Sequence, residues 1–221
     1  LVAGWTGPLS VAILLLAMGI ITIGAFELMH AQPLIAIGGR AHSVALGVTA
    51  ASRPGFAWRL FASSGGKTAY GATALRPCAW YHVALRFSKA RKELSVLLDG
   101  ALETTVAGVA PFNGGSVFAS SGSLRGRITD VRVWRKERSD AEVRDARSAQ
   151  FTGREQGLAA LLPMGELVAD GATQRVNDLS PNAVHGVVRG APVVSSAGVA
   201  FGAIINGAAI LARKLRDDSP A

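Results

Sequence analysis

Cysteine is almost absent from this sequence of 221 residues, in which Cys78 is the single example. One cysteine excludes a disulfide within the chain and also excludes a zinc site built from several cysteines. Histidine is scarce as well: the four residues His30, His42, His82 and His185 form no pair with metal-ligand spacing. The redox compartment stays open, and an extracytoplasmic location without disulfides is compatible with this composition.

Charged residues are also few, at 17% of the chain against 49% hydrophobic residues, which excludes a disordered protein. Among them, 23 Lys and Arg outnumber 15 Asp and Glu, so the net charge is +8 and nucleic acid has to be considered as a partner. The densest basic groups lie at residues 86–92, 132–138 and 213–216. None interleaves basic and aromatic residues as an RNA-stacking strand does, and we therefore predict no nucleic-acid partner.

An uncharged run covers residues 9–26 and has two interpretations. Its 18 residues reach the lower limit for a helix that crosses a bilayer about 30 Å thick, so the run can be a membrane anchor. Alternatively, residues 1–19 are an apolar lead, and a strand that begins near residue 20 opens the folded domain. The two interpretations overlap and stay open.

A second uncharged run, residues 190–212, precedes a basic tail. A membrane span is conceivable, but Pro192, Asn206 and several glycines interrupt the run. Short strands broken at these residues are the favoured interpretation. Residues 196–221 are accordingly predicted to be a C-terminal strand and a basic tail.

Short alternating runs separated by turn residues fill positions 31–135, with the spacing of a β-sandwich. They include PLIAIGG, SVALGVTA, FAWRLFAS, WYHVALRF, ELSVLLDGALETTVA, SVFAS and GRITDVRVW. Asp99 and Gly100 predict a tight hairpin turn. The segment SSGGKT, residues 63–68, ends like a phosphate-binding loop, but Phe61 occupies the first glycine position and no apolar helix follows. It is predicted to be a hairpin loop.

One helix is predicted, over SDAEVRDARSAQF. Ser139 and Glu142 form a capping box, in which the Ser side chain and the Glu side chain each accept a backbone N–H of the first turn. Gly153 is expected to end the helix. A single short helix beside many strands predicts an all-β domain, a two-sheet antiparallel sandwich.

The stretch CAWYHVALRF, residues 78–87, places a histidine among aromatic residues and so raises the question of a binding site. Its alternation puts Tyr81, Val83, Leu85 and Phe87 on one face of a central strand and Trp80, His82, Ala84 and Arg86 on the other. His82 has no metal or catalytic partner at a recognisable spacing. A hydrogen-bonded structural histidine is therefore expected.

Four segments in order resemble a known family. CAWYHVALRF is similar to a W-x-H-V-A strand, and LSVLLDGAL to the hairpin that follows it. LRGRITDVRVWRKERSDAEV resembles G-x-I-D-E-V-R-I-W and a short helix, and GLAALLPMGE…VNDLSPNAVHG resembles a G-L-x-A-Y-W-P-L segment and an Asp- and Asn-rich loop. Together they resemble the laminin-G-like, concanavalin A-type jelly roll of lectin and bacterial surface modules. The resemblance spans residues 20–195 and implies a jelly-roll domain.

The sequence departs from the family pattern mainly in loops. Thr129 and Asp130 replace Asp and Glu, Leu161 and Leu162 replace a Tyr-Trp pair, and Pro181, Ala183 and Val184 replace a Gly-Asn-rich loop. These changes remove polar and aromatic positions from which a sugar or calcium site is built, whereas the core positions are kept.

Candidate site residues are those with side chains suited to sugars or calcium. Sugar sites use an exposed ring and a few polar groups, and the candidates are Trp58, Tyr70, Asn113, Asp130 and Asn182. A hard-oxygen calcium site can be built from turn aspartates, here Asp99, Asp130, Asp170 and Asp178. Each has a competing structural role, since strand aromatics often lie in cores and turn aspartates stabilise turns.

The favoured hypothesis is a non-catalytic recognition module, extracytoplasmic and membrane-tethered by the N-terminal run, that binds a carbohydrate or a protein surface with or without calcium. The alternative is a structural or interaction domain of a larger membrane or surface protein, with no small ligand. A glycoside hydrolase is the third hypothesis, and it requires two carboxylates that face one groove. The E-x-D-x-x-E pattern of concanavalin-type hydrolases is absent, and Asp140 and Glu142 are explained by the start of the helix.

Overall fold

The computed structural model of the protein describes residues 2–3, 13–16, 32–39, 42–49, 58–76, 79–111, 116–119 and 127–188. These residues form fifteen strands and one helix. The elements are β1 (Val2–Ala3), β2 (Ile13–Leu16), β3 (Gln32–Gly39), β4 (His42–Val48), β5 (Leu60–Ser64), β6 (Lys67–Tyr70), β7 (Val83–Ser88), β8 (Glu93–Leu98), β9 (Ala101–Ala107), β10 (Ser116–Ala119), β11 (Val131–Trp134), α1 (Asp140–Ala146), β12 (Leu158–Leu162), β13 (Val168–Asp170), β14 (Thr173–Val176) and β15 (Gly186–Val188).

The strands form two antiparallel sheets. The nine-stranded sheet has the order β13-β14-β15-β1-β10-β3-β4-β5-β6, and the six-stranded sheet has the order β12-β11-β2-β7-β8-β9. Strands that are neighbours in space are often distant in sequence, as β11 and β2 are, which is typical of Greek-key and jelly-roll connections. The predicted all-β sandwich with one short helix is confirmed.

Two hairpins turn through paired residues with positive φ. Gly65 and Gly66 (φ +56° and +78°) connect β5 to β6, and Asp99 and Gly100 (φ +50° and +83°) connect β8 to β9. Positive φ at both central residues is the requirement of a type I′ turn, whose twist matches that of the flanking strands. The sequence prediction of both hairpins, including the one in the phosphate-loop look-alike, is confirmed.

The main core lies between the two sheets. From β7 it receives Val83, Leu85 and Phe87, while Ala84 lies in a second cluster on the outer face of the six-stranded sheet. The alternation predicted for this strand is therefore confirmed. At roughly 25 cal/mol for each Å² of apolar surface removed from water, this dense set of buried aliphatic residues is the main stabilising term. The core residues are Leu34, Ile35, Ile37, Val44, Leu46, Val48, Leu60, Ala62, Leu75, Val83, Leu85, Phe87, Leu94, Val96, Leu98, Val106, Val109, Val131, Val133, Ala159, Ala160, Leu162, Val176 and Val188.

Helix α1 covers part of the outer face of the six-stranded sheet. It buries Val143 and Ala146 against Trp134 and neighbouring residues of the second cluster. Ser139 and Glu142 form the predicted capping box, with both reciprocal hydrogen bonds present. The helix ends at Ala146, so the prediction that Gly153 ends it is wrong; Gly153 lies in the loop that follows, with φ +91°.

Arg132 fastens the end of this helix to the sheet. Its side chain is 2% exposed on the outer face of β11. Nη1 donates to the carbonyl of Ala146 at 2.7 Å, and Nε donates to Oδ1 of Asp130 at 2.9 Å. The guanidinium also lies 4.1 Å from the ring centroid of Phe151, so its buried charge is compensated on several sides.

Part of the N-terminal apolar run belongs to the sandwich. Strand β2 lies between β7 and β11, with Ile13 opposite Arg86 and Leu16 opposite Val131. Four residues of the run are thus in a sheet, ahead of position 20, where the sequence interpretation begins the domain. Among the described residues, no helix combines the length and the apolar character needed to cross a membrane. The predicted strand near residues 20–29 and the C-terminal segment 190–221 lie outside the described residues.

Candidate functional site

A cleft of about 660 Å³ opens on the outer face of the six-stranded sheet, beside the N-terminus of α1. Its floor is a row of three side chains from adjacent strands: Arg86 on β7, Ser95 on β8 and Thr105 on β9. The strand register pairs Arg86 with Ser95 and Ser95 with Thr105. Paired residues project from the same face of a sheet, and for this reason three polar residues from distant parts of the sequence meet here. Ser95 Oγ and Thr105 Oγ1 are 3.5 Å apart.

One wall is built around Arg91, in the turn between β7 and β8. Its Nε donates to Glu93 at 2.9 Å, and its Nη2 donates to Glu137 at 2.7 Å. The hydrogen bond to Glu93 and the negative charge of Glu137 raise the pKa of the Arg91 guanidinium. Two carboxylates from segments 44 positions apart are thereby held on one cation.

The buried end of the cleft is set by Arg86, which is 8% exposed. Its Nη1 donates to the carbonyl of Arg138 at 3.1 Å and also to Oδ1 of Asp140. Its Nε is buried and has no hydrogen-bond partner among the described residues. Arg86 thus joins the floor to the start of α1 and keeps an unused donor.

The opposite rim is the capped end of α1. The Arg138 guanidinium lies 4.0 Å from the ring centroid of Trp134, and its Nη1 is 3.4 Å from Oε1 of Glu142. The backbone N–H of Ser139 donates to Glu142 at 2.8 Å. This hydrogen bond lowers the pKa of Glu142; burial opposes it, and the charges of Arg138 and Lys136 add to it.

The cleft is therefore rich in hydrogen-bonding groups. Its lining contains three guanidinium groups, four carboxylates and three hydroxyls, together with Leu102, which is 54% exposed. Ligand sites typically enclose roughly 300–1,000 Å³, and the cleft falls within this range. Its lining is mostly polar, whereas a typical site is mostly apolar, so any ligand that it binds has to be polar. No aromatic residue is among the described residues that line the cleft.

The four predicted sugar-binding residues that the structure describes do not line this cleft. Trp58 forms an isolated bridge with Leu75 and packs, partly buried, against the main core. Tyr70 is 60% exposed at the edge of the nine-stranded sheet, with its ring centroid 6.3 Å from that of Phe61. Asn113 lies outside the described residues.

Two further predicted ligand residues are used in packing. Asp130 accepts both Nε and Nη2 of Arg132, and it adopts a positive φ of +54°. Asn182 donates to the carbonyl of Ala159 at 2.9 Å and accepts Nη2 of Arg135 at 2.9 Å. The structure therefore separates the four candidates that it describes instead of bringing them together.

Among the calcium candidates, Asp178 has the most complete set of contacts. It is 6% exposed. Its Oδ1 accepts the backbone N–H groups of Leu161 and Ser180, both at 2.8 Å. Its Oδ2 accepts the Ser180 hydroxyl at 2.7 Å and the N–H of Val184 at 2.9 Å. The loop NDLSPNAVHG is thus organised around one buried carboxylate whose two oxygens each accept two donors.

The remaining calcium candidates are far less buried in their turns. Asp99 accepts the backbone N–H of His82 at 3.0 Å, and Asp170 lies 3.9 Å from Arg175 across the β13–β14 hairpin. Over the part of the chain that the structure describes, no group of three or more His, Cys, Asp or Glu residues is placed to hold a metal ion. The proposed calcium ligands lie in separate turns.

His82 is fully buried, as expected of a structural residue, but the expected side-chain hydrogen bond is not formed. Neither ring nitrogen has a partner among the described residues. Burial lowers the pKa of His82 to about 3, and the positive charges of Arg132 and Arg147 contribute to this shift. The ring is accordingly a neutral buried group and not a ligand at an open site.

Sequence reasoning missed most of the cleft. The outward direction of Arg86 was visible in the alternation of β7, and the capping box placed Asp140 and Glu142 at a helix start. The contacts of Arg91 with Glu93 and Glu137 could not be predicted without the hairpin register and the path of the segment after β11. Scattered charges near turns carry no signal of such convergence.

The chain belongs to the concanavalin A-like lectin/glucanases superfamily. The sequence model of its laminin-G type family matches residues 26–144, which is more than half of the chain. The resemblance stated from the sequence is therefore confirmed. The search of curated proteins finds no match.

Several solved structures are similar to the chain. A candidate carbohydrate-binding protein from Bacteroides ovatus ATCC 8483 matches with a TM-score of 0.64 and 16% identity over 90% of this chain and 59% of that one. A heptameric SAP-like pentraxin from Limulus polyphemus has a TM-score of 0.47 and 13% identity, covering 66% of this chain and 81% of that one. The CBM40 of a Ruminococcus gnavus IT-sialidase has a TM-score of 0.43 and 16% identity, covering 62% and 81%. The Bacteroides match supports the fold, and this chain spans about three-fifths of that protein.

Proposed function

We propose that this protein is a non-catalytic carbohydrate-recognition module that binds a glycan in the cleft beside α1. The observation that carries the proposal is the polar row Arg86, Ser95 and Thr105, which forms the floor of an open cavity of about 660 Å³. Sugars present many hydroxyl groups, each of which can donate and accept hydrogen bonds. A floor of hydroxyls and a guanidinium, with carboxylates on the walls, supplies partners for both roles.

The rigid setting of these groups supports the proposal. Arg86 is held by the Arg138 carbonyl and by Asp140, and Arg91 is held by two carboxylates. Side chains that are already fixed lose little rotamer freedom when a ligand binds, so more of the contact energy contributes to affinity. The description of the similar Bacteroides ovatus protein as a carbohydrate binder agrees with the proposal.

The chemistry of the rim favours recognition over hydrolysis. A glycosidase needs a carboxylic acid that stays protonated near neutral pH, which requires a raised pKa. The backbone hydrogen bond from Ser139 instead lowers the pKa of Glu142. Asp140 and Glu142 are both occupied at the start of the helix, where Asp140 also accepts Arg86.

The proposal includes an extracytoplasmic location, where glycans are displayed. It does not include an anchoring helix over residues 9–26, because Ile13–Leu16 form strand β2 between β7 and β11. Fractionation of cells that express the native gene tests the location, and recovery of the protein from the cytoplasm would contradict it.

A glycan array followed by calorimetry of the best ligand tests the binding function, with calcium and with a chelator in parallel. We expect Thr105→Arg to abolish binding, because a long side chain on the floor fills the cleft. The matched control is Thr68→Arg, the same change at an exposed position on β6 of the other sheet, which should bind normally.

Three outcomes are informative. Loss of binding in Thr105→Arg alone supports the cleft as the site. Equal loss in Thr68→Arg would indicate a site elsewhere, and absence of any glycan ligand would leave the alternative of a protein-interaction domain. Loss of binding in the presence of the chelator would support the prediction that calcium is part of the site.

A further inference from the structure

The charges that line the cleft are unequally available to a ligand. All three guanidinium groups are engaged with carboxylates: Arg86 with Asp140, Arg91 with Glu93 and Glu137, and Arg138 with Glu142. An anionic ligand would have to displace these carboxylates from their partners. Each guanidinium charge in the lining is therefore already paired with a carboxylate, although Nε of Arg86 and Nε of Arg138 have no hydrogen-bond partner among the described residues.

The carboxylates, in contrast, keep unused acceptors. Oε1 of Glu93, Oε2 of Glu137 and Oδ2 of Asp140 have no hydrogen-bond partner among the described residues. Their side chains are 32%, 34% and 50% exposed, so a ligand in the cleft can reach them. Negative charge is concentrated at the Arg91 wall, where Glu93 and Glu137 share one guanidinium, whereas Glu142 pairs with both Arg138 and Lys136.

The floor provides a complementary donor. Arg86 is more than nine-tenths buried, and its Nε has no partner among the described residues. A ligand that seats on the floor therefore meets a donor beneath it and acceptors around it. This arrangement suits a group that donates several hydrogen bonds next to ring and hydroxyl oxygens that accept them.

From this arrangement we infer that the cleft selects glycans that carry a free amino group and discriminates against glycans that carry a carboxylate. The inference rests on the proposed function and names the ligand class of the same site. An ammonium group carries a positive charge and donates three hydrogen bonds, and it can therefore bind the free oxygens of Glu93, Glu137 and Asp140. Hydrogen bonds between charged partners are roughly twice as strong as neutral ones, whereas a sugar carboxylate would face like charge.

The test uses the full 221-residue chain and a panel of matched oligosaccharides built from glucose and from galactose. Each backbone is presented in three forms that differ in one substituent: the neutral hydroxyl form, the 2-amino form and the uronic acid form. Binding is measured by calorimetry at a pH at which the amine is protonated. We expect the amino form to bind about fivefold more tightly than the neutral form, after allowance for solvent screening of partly exposed carboxylates. The uronic acid form should bind most weakly.

Salt and substitution provide the second readout. Raising the ionic strength to about 1 M shortens the Debye length to about 3 Å and should reduce the preference for the amine while leaving the neutral form nearly unaffected. The double variant E93Q/E137Q should lose most of the preference, and the control Glu166→Gln, at an exposed position outside the lining, should keep it.

The outcomes separate this inference from the proposed function. Binding of the neutral form as tight as that of the amino form, or tightest binding of the uronic acid, would overturn the amine preference and leave glycan recognition intact. Failure of every panel member and of the array to bind would contradict the proposed function itself. Retention of the preference in E93Q/E137Q would contradict its assignment to the two carboxylates that share Arg91.

Discussion

Replacement of His82 by leucine should make the stability of this protein much less sensitive to mild acid. The imidazole is fully buried, has no hydrogen-bond partner among the described residues and has a pKa of about 3. In the unfolded chain the same group titrates near its ordinary value of about 6.5. At a pH between these two pKa values, His82 binds a proton in the unfolded state and not in the folded state.

The sign and size of the effect follow from this difference. Because the unfolded state binds more protons below pH 6.5, the free energy of unfolding falls as the pH is lowered and is fully retained above it. Each pH unit below the unfolded pKa costs about 1.4 kcal/mol, so the loss from this residue at pH 5 is about 2 kcal/mol. A typical domain has only about 5–15 kcal/mol of stability, so the loss is easily measured.

Urea unfolding at pH 7, 6 and 5 checks the prediction in the wild type and in His82→Leu. The range ends above the region in which most carboxylates titrate, and the other three histidines are present in both proteins. We expect the wild type to lose about 2 kcal/mol more than the variant between pH 7 and pH 5. Parallel pH profiles for the two proteins would refute the reasoning, because they would show that His82 is protonated in the folded state or is not buried.

Three further substitutions test a buried carboxylate, a buried guanidinium and a helix cap. Asp178→Asn should lower the free energy of unfolding by about 3 kcal/mol, because a buried amide cannot accept the four donors that now bind the carboxylate. The control Asp170→Asn, in an exposed turn, should change it little. Equal shifts of the melting temperature in the two variants would contradict this prediction. Arg132→Met should cost about 3 kcal/mol, since it leaves the Ala146 carbonyl and Asp130 without their partner, and an unchanged melting temperature would show that the buried guanidinium is dispensable. Ser139→Ala should cost about 1 kcal/mol through loss of the N-cap and should loosen the cleft rim; unaltered stability in urea unfolding would contradict this.

Local patterns were sufficient to predict much of the fold. The period-two alternation of WYHVALRF gave the correct inner and outer faces of β7, and the Asp99-Gly100 pair gave a hairpin turn that its positive φ values confirm. The capping box also predicted the start of α1 at Asp140. Each of these features is decided by residues a few positions apart, which is the range over which sequence patterns are informative.

The end of α1 and the role of Asp178 depend on tertiary structure. The helix ends at Ala146, whose carbonyl accepts a hydrogen bond from the side chain of Arg132 on strand β11. Asp178 was a calcium candidate because it lies in a polar loop, but in the folded protein it is buried and accepts four donors from three residues. Arg132 lies 14 positions from Ala146, and Leu161 lies 17 positions from Asp178, so these two contacts cannot be read from a local pattern, although Ser180 and Val184 are close to Asp178 in sequence.

The cleft was the least predictable feature. Its floor exists because the registers of three strands align Arg86, Ser95 and Thr105, and its wall exists because the chain after β11 passes Arg91. Exposed aromatics and turn aspartates are the residues predicted from the sequence, and the structure places the described ones in separate parts of the fold. Binding sites built from sheet faces require the register, and a list of residue types does not contain it.

The most direct test of the central claim is chemical-shift mapping of the isotopically labelled protein during titration with a glycan that binds it. We expect the largest backbone and side-chain shifts at Ser95, Thr105 and Arg91, with little change at Tyr70 or Asn182. Shifts concentrated at Tyr70 or at Asn182, with the cleft residues unmoved, would contradict the assignment of the cleft as the glycan site.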